Sequence, residues 1–349
     1  MKLKLNNLNN FYKNKKVLIT GHTGFKGSWL TMVLNFLGSK VYGYSLKDRN
    51  LKNLRTFGIK KNIKNYYGDI RNFKNLEKII KKIKPEIVFH LAAQSLVKKS
   101  YTNSYETFLI NTIGVLNILE IKNINKFIKS LVIITSDKCY KNKELSSGYN
   151  ELSEIGGDDP YSGSKAAAEN IFHSYTTSFK KEFSNTCSAR AGNVIGGGDW
   201  SDDRIIPDIV RSIFNDKNIL LRSPSAIRPW QHVLEPISGY IKLAFLNYKF
   251  PNKFKGSWNF GPKKKINFTV LKVVEKFLKY SKKNLSIKIK KNSIKETKTL
   301  HLISNKAKKK IKWEAKWSHE VAIRETAEWY DAYFKKKNMY EFTLKQILR

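Results

Sequence analysis

The sequence predicts an α/β fold in which a doubly wound parallel sheet carries a smaller C-terminal lobe. Three observations predict it. Short apolar runs alternate with amphipathic stretches along the N-terminal part of the chain, and the Gly-rich segment GHTGFKG follows the first apolar run. Beyond residue 193 the alternation stops, and Gly, Pro and Trp become frequent. Strands that alternate with helices of this length form parallel sheets of the Rossmann type, with helices on both faces.

The predicted strands are short apolar runs, each followed by a turn or a helical pattern. We expect strands at residues 17–20, 40–45, 65–67, 86–91, 131–135 and 186–191. We expect helices from the Gly-rich segment to about residue 37, over 73–83, over about 105–121 and from about residue 161 onward. Pro85 ends the second of these helices, because proline cannot continue a helix.

The loss of alternation predicts a domain boundary. We expect residues 1–192 to form the Rossmann domain and residues 193–349 to form mainly a second, ligand-binding lobe, with a later segment returning to the first domain. The Lys-rich stretch 280–298 is predicted to be a solvated strand-and-loop region.

Composition excludes several classes of protein. With 349 residues, 41% of them hydrophobic, the chain is globular and can bury a large core. No apolar run has the length of a signal peptide or a membrane span, so we expect a cytoplasmic protein without a membrane partner. Cys139 and Cys187 are too few and too isolated for a disulfide framework or a thiolate metal site, and no metal is expected.

The formal net charge of +38 raises the question of a nucleic-acid partner. Only 10 of the 66 basic residues are Arg, and the lysines are interspersed with Asn and Ile along the whole chain. Proteins that read nucleic acids concentrate Arg on one face, because its planar fork suits phosphates and base edges. We therefore expect no specific nucleic-acid partner, only weak adsorption to polyanions at low salt.

The Gly-rich segment lies at the junction of the first strand and the first helix, where a dinucleotide binds in a doubly wound sheet. A tight turn there lets backbone amides meet a pyrophosphate at the positive end of a helix. The residues predicted to contact the cofactor here are Gly21, Thr23, Gly24, Phe25, Lys26 and Gly27. An ordinary strand-to-helix turn is the alternative interpretation.

The tip of the second strand does not decide between NAD and NADP. An acid at this place would hold the adenosine ribose of NAD, and Ser45 stands there instead. Asp48 is near enough in sequence to reach the ribose, whereas Lys47 and Arg49 would suit a 2′-phosphate.

The ends of the third and fourth strands are predicted to complete the cofactor site. Asp69 and Ile70 are expected to flank the adenine, with helix capping as the alternative role for Asp69. The fourth strand ends in HLAAQ, and its small residues allow a cofactor to pass close to the backbone. The contacts expected there are Leu91, Ala92 and Ala93, with close helix packing as the alternative for the alanines.

The segment DPYSGSK places Tyr161 and Lys165 one helical turn apart on the same face. A nearby ammonium lowers the pKa of a phenol, so Tyr161 is predicted to act as a base near neutral pH. The fifth strand ends in Ser136, Asp137 and Lys138, an acid and an amine side by side. An ion pair on a turn would explain that adjacency, and proton chemistry is the alternative.

Together these segments resemble the extended short-chain dehydrogenase/reductase family over nearly the whole chain. Within that family the sequence is similar to the nucleotide-sugar 4,6-dehydratases, most of all to those that act on CDP-glucose. The similar segments are ITGHTGFKGSWL, HLAAQ, TSDKCY, NEL, DPYSGSK, RAGNVIGGGDW and RPWQHVLEP. Most related sugar dehydratases carry Asp-Glu at the fifth-strand tip, whereas the CDP-glucose enzymes carry Asp-Lys, as this sequence does at Asp137 and Lys138.

The resemblance implies NAD as a tightly held hydride carrier and the removal of water across carbons 5 and 6 of CDP-glucose. It implies that Tyr161 takes the 4-hydroxyl proton, that Ser136 holds that oxygen and that Lys165 binds the nicotinamide ribose. Asp137 would be the acid. Lys138 would be the base or would polarise the 4-keto oxygen.

The resemblance also implies that the second lobe binds the nucleotide and that the protein is a homodimer or a higher homo-oligomer. The predicted substrate contacts are Gln94, Asn193, Arg204, Arg228 and His232. In so Arg-poor a chain, the arginines are better candidates for fork-like phosphate contacts than any lysine. Two alternatives stay open: a related dehydratase or 4-epimerase for a UDP-, GDP- or dTDP-sugar, and a nucleotide-binding module without catalysis.

Overall fold

A parallel sheet lies at the centre of the molecule. The computed structural model describes residues 5–47, 52–221, 223–263, 268–289 and 300–349. Within those ranges, seven strands form one sheet in the order β10-β6-β5-β4-β1-β2-β3, and every neighbouring pair is parallel. These strands are β1 (Lys16–Thr20), β2 (Lys40–Ser45), β3 (Lys64–Tyr67), β4 (Ile87–His90), β5 (Ser130–Ile134), β6 (Thr186–Ala191) and β10 (Gly256–Phe260).

The remaining strands form two short parallel pairs outside the sheet. In the first pair, β7 (Val194–Ile195) lies beside β9 (Gln231–His232). In the second, β8 (Ile219–Leu221) lies beside β11 (Ile287–Ile289).

Helices cover both faces of the sheet and build the C-terminal part of the molecule. They are α1 (Leu5–Tyr12), α2 (Phe25–Phe36), α3 (Lys52–Thr56), α4 (Phe73–Ile83), α5 (Val97–Thr102), α6 (Ser104–Ile124), α7 (Pro160–Ser178), α8 (Ile205–Phe214), α9 (Leu234–Lys249), α10 (Val270–Ser281), α11 (His319–Phe334) and α12 (Met339–Leu348). Short 3₁₀ turns cover Lys60–Asn62 and Asp137–Cys139, and a π-helical turn covers Ala307–Ile311. No helix in the described part of the chain combines the length and the apolarity needed to cross a membrane.

The strands send alternate side chains into two separate cores, as the period of two requires. In β5, Val132 joins the core under α2 and α9, whereas Leu131 and Ile133 join the core under α4, α6 and α7. Every residue of β4 and β5 is buried, which is typical of parallel strands with both faces covered. The sequence therefore shows near-continuous apolar runs rather than alternation with polar residues.

Local signals fix the helices that reach the ligand-facing edge of the sheet. Asp159 caps α7, where its carboxylate accepts the Ser162 amide at 2.9 Å, and Pro160 occupies the first turn. Asn72 caps α4, and that helix ends at Lys84 in a left-handed conformation just before Pro85.

The predicted fold class is confirmed. Each of the six predicted strands is present with bounds within one residue of the prediction, and the seventh, β10, was not predicted. Because β10 pairs with β6, a segment from beyond residue 193 does lie in the sheet, while the division at residue 192 stays a prediction. The Lys-rich stretch includes the end of α10 and β11, and its residues 290–298 lie outside the described residues, as do Asp48 and Arg49.

Candidate active site

One large cavity opens at the carboxyl ends of the sheet strands. Its volume is about 1040 Å³, and it extends from the ends of β2 and β3 to the lobe around β8. It passes between β1 and β4, where the strand order reverses, and this is where doubly wound sheets bind ligands.

The Gly-rich turn forms the cavity wall after β1. Gly21 has a φ of +73°, and a Cβ atom there would lie 2.8 Å from the backbone nitrogen of Ala92. A Cβ atom at Gly27 would lie 2.1 Å from the Gly21 carbonyl oxygen, so both positions exclude a side chain. All six residues predicted here line the cavity, and the N-terminus of α2 lies among them. This backbone cradle fits a dinucleotide pyrophosphate.

The other predicted cofactor contacts also line the cavity: Asp69, Ile70, Leu91, Ala92 and Ala93. The Arg71 guanidinium donates to the Asp69 carboxylate at 2.7 Å, and these bonds hold the pKa of Asp69 below its usual range. Asp69 does not cap α4, since Asn72 does. At the tip of β2, the Ser45 hydroxyl donates to the Leu46 carbonyl and lies on the cavity wall, so the choice between NAD and NADP stays open there.

Gln94 lines the cavity, but its amide is engaged within the protein. The side-chain nitrogen donates to the Thr107 hydroxyl at 2.9 Å, and the side-chain oxygen accepts the Leu96 amide at 2.6 Å. The Gln94 backbone is bonded in both directions to Asn111, whose amide also donates to Ser164 of α7. These bonds fix the loop after β4 against the helix that carries Tyr161.

The five residues predicted to be catalytic all line this cavity: Ser136, Asp137, Lys138, Tyr161 and Lys165. The Ser136 hydroxyl donates to Asp137 Oδ1 at 2.9 Å, and Asp137 Oδ2 is buried with no hydrogen-bond partner among the described residues. Tyr161 and Lys165 lie one turn apart on α7 and are 8% and 5% exposed, whereas Lys138 is half-buried. The arrangement leaves one carboxylate oxygen free for a ligand.

The pKa of Tyr161 differs from the expectation. Burial is the largest influence on this pKa, which is raised to about 12. The Ser136 hydroxyl and the charge of Arg204 act to lower the pKa, but their effects are smaller. Burial also lowers the pKa of Lys165 to about 8. The predicted lowering of the Tyr161 pKa by Lys165 is therefore not found in the protein alone, because the enclosed phenolate loses more hydration than its neighbours replace.

Asp137 is a candidate for the acid that donates a proton, because its pKa is raised. Burial raises its pKa above the ordinary 3.8, while the ammonium of Lys138, the Ser136 hydroxyl and the ammonium of Lys26 oppose the rise. Gly192 packs directly on this carboxyl, and a Cβ atom there would lie 3.0 Å from Asp137 Oδ2. The site thus holds the carboxyl in a fixed place with little water around it.

Three of the predicted substrate contacts lie on the cavity wall beyond the catalytic cluster: Asn193, Arg204 and Arg228. Arg204 is held in place, since its guanidinium donates to Asp199 at 3.0 Å and to Ser95 at 3.1 Å. Arg228 donates to the Ile227 carbonyl at 3.0 Å. The planar guanidinium group of an arginine suits an anionic ligand in this part of the cavity.

His232 is not brought to the cavity. It lies fully buried in β9, where its ring packs against Trp29 and Trp317 and its Nδ1 accepts the Leu234 amide. These apolar surroundings lower the pKa of His232 to about 3, so it stays neutral. The pairing of β9 with β7 turns His232 toward α2, and the sequence carries no signal for that pairing.

Sequence reasoning missed the buried ion pair behind the catalytic residues. Glu169 follows Lys165 by one turn on α7 and binds Arg190 of β6 at 2.6 Å. It also accepts hydrogen bonds from Thr135, next to Ser136, and from Ser188. The sequence signal that could have indicated this ion pair is the acidic residue four positions after Lys165, on the same face of α7. In the described part of the chain, no group of three or more His, Cys, Asp or Glu side chains could hold a metal ion.

Comparison with known proteins gives one family. The sequence profile of the GDP-mannose 4,6 dehydratase family matches residues 18–326. The CDP-glucose 4,6-dehydratase of Salmonella typhimurium is 40% identical over an alignment of 347 residues, and the match covers 97% of this chain and 96% of that protein. The dTDP-D-glucose 4,6-dehydratase of Dictyostelium discoideum is 33% identical over 58% of this chain and 49% of its own length.

Solved structures share the fold. The dTDP-glucose 4,6-dehydratase of Bacillus anthracis, solved in complex with NAD, has a TM-score of 0.78 and 23% identity, covering 93% of this chain and 98% of its own. An epimerase of Methanothermobacter thermautotrophicus has a TM-score of 0.81 and 21% identity, covering 95% of this chain and 96% of its own.

Proposed function

The chain belongs to the GDP-mannose 4,6 dehydratase family, and on that premise we propose that it is a CDP-glucose 4,6-dehydratase. It converts CDP-glucose to CDP-4-dehydro-6-deoxyglucose and water, with an internal hydride transfer from carbon 4 to carbon 6. The observation that carries the proposal is that Tyr161, Asp137 and Lys138 line the same cavity as the Gly-rich turn. The 40% identity to the Salmonella enzyme favours CDP-glucose over other nucleotide sugars.

NAD is the proposed cofactor, held by the residues whose backbone forms the cradle after β1. Its pyrophosphate would lie on residues 21–27, its adenine beside Asp69 and Ile70, and its nicotinamide beside Tyr161 and Lys165. When bound, NAD supplies a hydride acceptor for carbon 4, a hydride donor for carbon 6 and, in its oxidised form, a positive charge.

Tyr161 removes the proton of the 4-hydroxyl while Ser136 holds that oxygen. To act as a base, Tyr161 must first give up its own phenolic proton, and burial opposes this because it raises the pKa of Tyr161 to about 12. A positive charge in the cavity therefore matters, and Lys165, one turn away and buried, supplies one when it is protonated. Oxidation at carbon 4 leaves a ketone that acidifies the proton on carbon 5.

Lys138 and Asp137 carry out the elimination. Lys138, in its neutral form, takes the carbon-5 proton, and the electrons of that bond form a double bond between carbons 5 and 6. The bond from carbon 6 to its oxygen breaks, and Asp137 gives its proton to that oxygen, which leaves as water. When carbon 6 receives the hydride, Lys138 returns its proton to carbon 5. The raised pKa of Asp137 suits an acid that must arrive protonated. The adjacency of the two groups on the β5 tip lets them act on neighbouring carbons.

The lobe side of the cavity binds the nucleotide. Arg204 and Arg228 are proposed to meet the diphosphate, with Asn193 beside them, because guanidinium groups bind phosphate oxygens in a fork. Gln94 shapes the loop next to the sugar, since its own amide is occupied. We propose no substrate role for His232.

The protein is further proposed to be a cytoplasmic homodimer without a nucleic-acid partner. An apolar patch on α5 and α6 supports the dimer, since Tyr101, Tyr105 and Phe108 are 51%, 74% and 39% exposed. Both cysteines are buried free thiols, which suits a reducing compartment.

The test is a panel of CDP-, UDP-, GDP- and dTDP-glucose, each incubated with the protein and NAD and assayed by product mass. We expect CDP-glucose to give a product lighter by one water, with no net accumulation of reduced cofactor. Intact CDP-glucose would contradict the proposal. A product of unchanged mass from any of the four would favour a 4-epimerase, and water loss from another nucleotide sugar would reassign the substrate.

A further inference from the structure

Tyr140 ends the turn that contains Asp137 and Lys138. It directly follows the 3₁₀ turn Asp137–Cys139, and its backbone amide donates to the Asp137 carbonyl oxygen at 3.3 Å. Tyr140 lines the cavity, yet it is only 2% exposed. A shift of Tyr140 would therefore move the two residues that are proposed to remove water.

The phenol of Tyr140 is bonded to two strands of the sheet. Its hydroxyl donates to Asn259 Oδ1 of β10 at 2.8 Å and accepts a hydrogen bond from the Arg190 guanidinium of β6 at 2.7 Å. Both partners are buried, and the ring of Tyr140 stacks on Tyr149 with 5.5 Å between the ring centroids. The hydroxyl thus both donates and accepts within the protein interior.

The same hydrogen bonds reach the other end of the turn. Thr135 lies just before the turn, and its hydroxyl donates to Glu169 of α7. Glu169 binds Arg190 at 2.6 Å, and Arg190 in turn binds Tyr140. Both ends of the turn are therefore tied to α7, the helix of the other two predicted catalytic residues. We call Thr135, Glu169, Arg190, Tyr140 and Asn259 the Arg190 network.

Tyr140 is unsuited to transfer a proton itself. Burial raises its pKa above the ordinary 10.0 of a tyrosine, although the Arg190 charge acts to lower it. Its hydroxyl proton is also engaged in the bond to Asn259. Any effect of Tyr140 on the reaction must therefore act through the residues that it holds in place.

We propose that Tyr140 is a positioning residue for the loss of water, and that the Arg190 network holds Asp137 and Lys138 within reach of the sugar. This inference rests on the proposed dehydratase function. Proton transfer requires the two heavy atoms to lie within hydrogen-bonding distance. A misplacement of about 1 Å can slow a reaction by about 10²-fold, so small movements of the turn matter.

Loss of the Tyr140 hydroxyl is expected to affect one step more than the other. The acid and the base for water loss, Asp137 and Lys138, lie in the turn that Tyr140 ends. The base for carbon-4 oxidation, Tyr161, lies on α7, whose start is fixed separately by the Asp159 cap. A change that loosened the whole domain would instead slow both steps alike.

The test compares Tyr140→Phe with the control Tyr12→Phe, since each change removes one buried hydroxyl. Tyr12 is 0% exposed and donates to the Ile241 carbonyl at 2.8 Å, and it is not among the described residues that line the cavity. Thr135→Val is a second variant, because it keeps the shape of the side chain and removes the bond at the other end of the turn.

Each variant is checked for thermal unfolding and for bound NAD per protomer. Single-turnover reactions with CDP-glucose then report two steps separately. The fluorescence of reduced cofactor follows carbon-4 oxidation, and product mass follows water loss.

We expect Tyr140→Phe to retain NAD and to oxidise carbon 4 at nearly the wild-type rate, but to lose water at least about tenfold more slowly. Reduced cofactor should therefore accumulate in this variant. Tyr12→Phe should keep the wild-type rates of both steps. Thr135→Val should slow water loss and also oxidation, because Ser136, which is proposed to hold the 4-oxygen, directly follows it.

Three results would overturn the inference while leaving the dehydratase function intact. They are wild-type water loss in a folded Tyr140→Phe, an equal slowing of oxidation and water loss in that variant, and release of its NAD. If Tyr140→Phe does not fold, Thr135→Val decides, and wild-type water loss in it would overturn the inference. Failure of the wild-type protein itself to dehydrate CDP-glucose would instead contradict the proposed function.

Discussion

At the scale of single residues, Asp137 combines burial with a carboxylate oxygen that has no partner among the described residues. Burial keeps this group protonated to higher pH than an exposed aspartate. The loss of hydration that makes this carboxylate costly to bury also raises its pKa, and the raised pKa makes Asp137 suitable as an acid. Its Oδ1 is fixed by Ser136, so the free oxygen has a defined direction.

The first prediction concerns Asp137→Asn. An amide keeps the shape of the side chain but cannot give a proton, so carbon-4 oxidation should persist while water loss falls about 10²–10⁴-fold. We expect stopped-flow fluorescence to show a rapid rise in reduced cofactor, without formation of the dehydrated product. Full dehydration by this variant would remove Asp137 from the mechanism.

Side-chain surroundings were the least predictable part of the site. The spacing of Tyr161 and Lys165 correctly placed both on one face of α7, yet it could not reveal that burial dominates the pKa of the phenol. Burial and through-space charge depend on contacts distant in sequence.

At the scale of elements, the buried pair of Glu169 and Arg190 joins α7 to β6 just behind the catalytic residues. Burial acts to raise the pKa of Glu169, but the Arg190 guanidinium outweighs it and holds that pKa below 4.5. The pair also ties the β5 tip to α7 through Thr135. Its charges are nearly inaccessible to water, so each depends on the other.

The second prediction is that Glu169→Gln lowers the free energy of unfolding by about 3–5 kcal/mol, because it leaves Arg190 buried and unpaired. Urea unfolding at pH 7 measures this. Asp331→Asn, which breaks the exposed pair with Lys335, should cost at most about 1 kcal/mol. Equal small effects of the two changes would contradict the assigned role of the buried pair.

The sign of the pH dependence follows from the lowered pKa. The contribution of Glu169 is fully present above its unfolded value of 4.5 and is lost as the pH falls through the lower folded value. The third prediction is that the difference in unfolding free energy between wild type and Glu169→Gln shrinks below pH 4.5. A difference that stays constant on acidification would argue against the ion pair as its source.

Elements with local signals were predictable, and those without were not. The strands β1 to β6 follow one another with helices between them, so periodicity and flanking turns located them. In contrast, β10 joins the sheet from residue 256 onward through pairing with β6, and β9 pairs with β7 over only two residues. Pairings of that kind bring together distant segments that carry no shared pattern, which is why the sequence did not show that His232 is buried away from the cavity lining.

At the scale of the whole molecule, two surface properties bear on binding partners: the basic net charge would favour polyanions, whereas the exposed aromatic side chains favour another protein chain. The net charge of +38 comes mainly from lysines that are spread along the sequence. The exposed aromatics of α5 and α6 instead form one patch beside α7, the helix that carries Tyr161. A second copy of the chain is the proposed occupant of this patch.

The fourth prediction is that the double change Tyr105→Glu and Phe108→Glu converts a dimer to a monomer, because two carboxylates would be buried in the interface. Light scattering after size-exclusion chromatography measures the mass. The control is Ile289→Glu, which adds a charge at a residue that is 68% exposed on β11 and should leave the mass unchanged. A monomeric wild-type protein would remove the dimer from the account.

The most direct test of the whole account follows a deuterium label placed on carbon 4 of CDP-glucose. If Tyr161, Asp137 and Lys138 act on one sugar beneath one hydride carrier, product mass and NMR should show water lost and the deuterium moved to carbon 6. No labelled reduced cofactor should leave the protein. Deuterium that stays on carbon 4, or that is released with the cofactor, would contradict internal transfer and with it the proposed reaction.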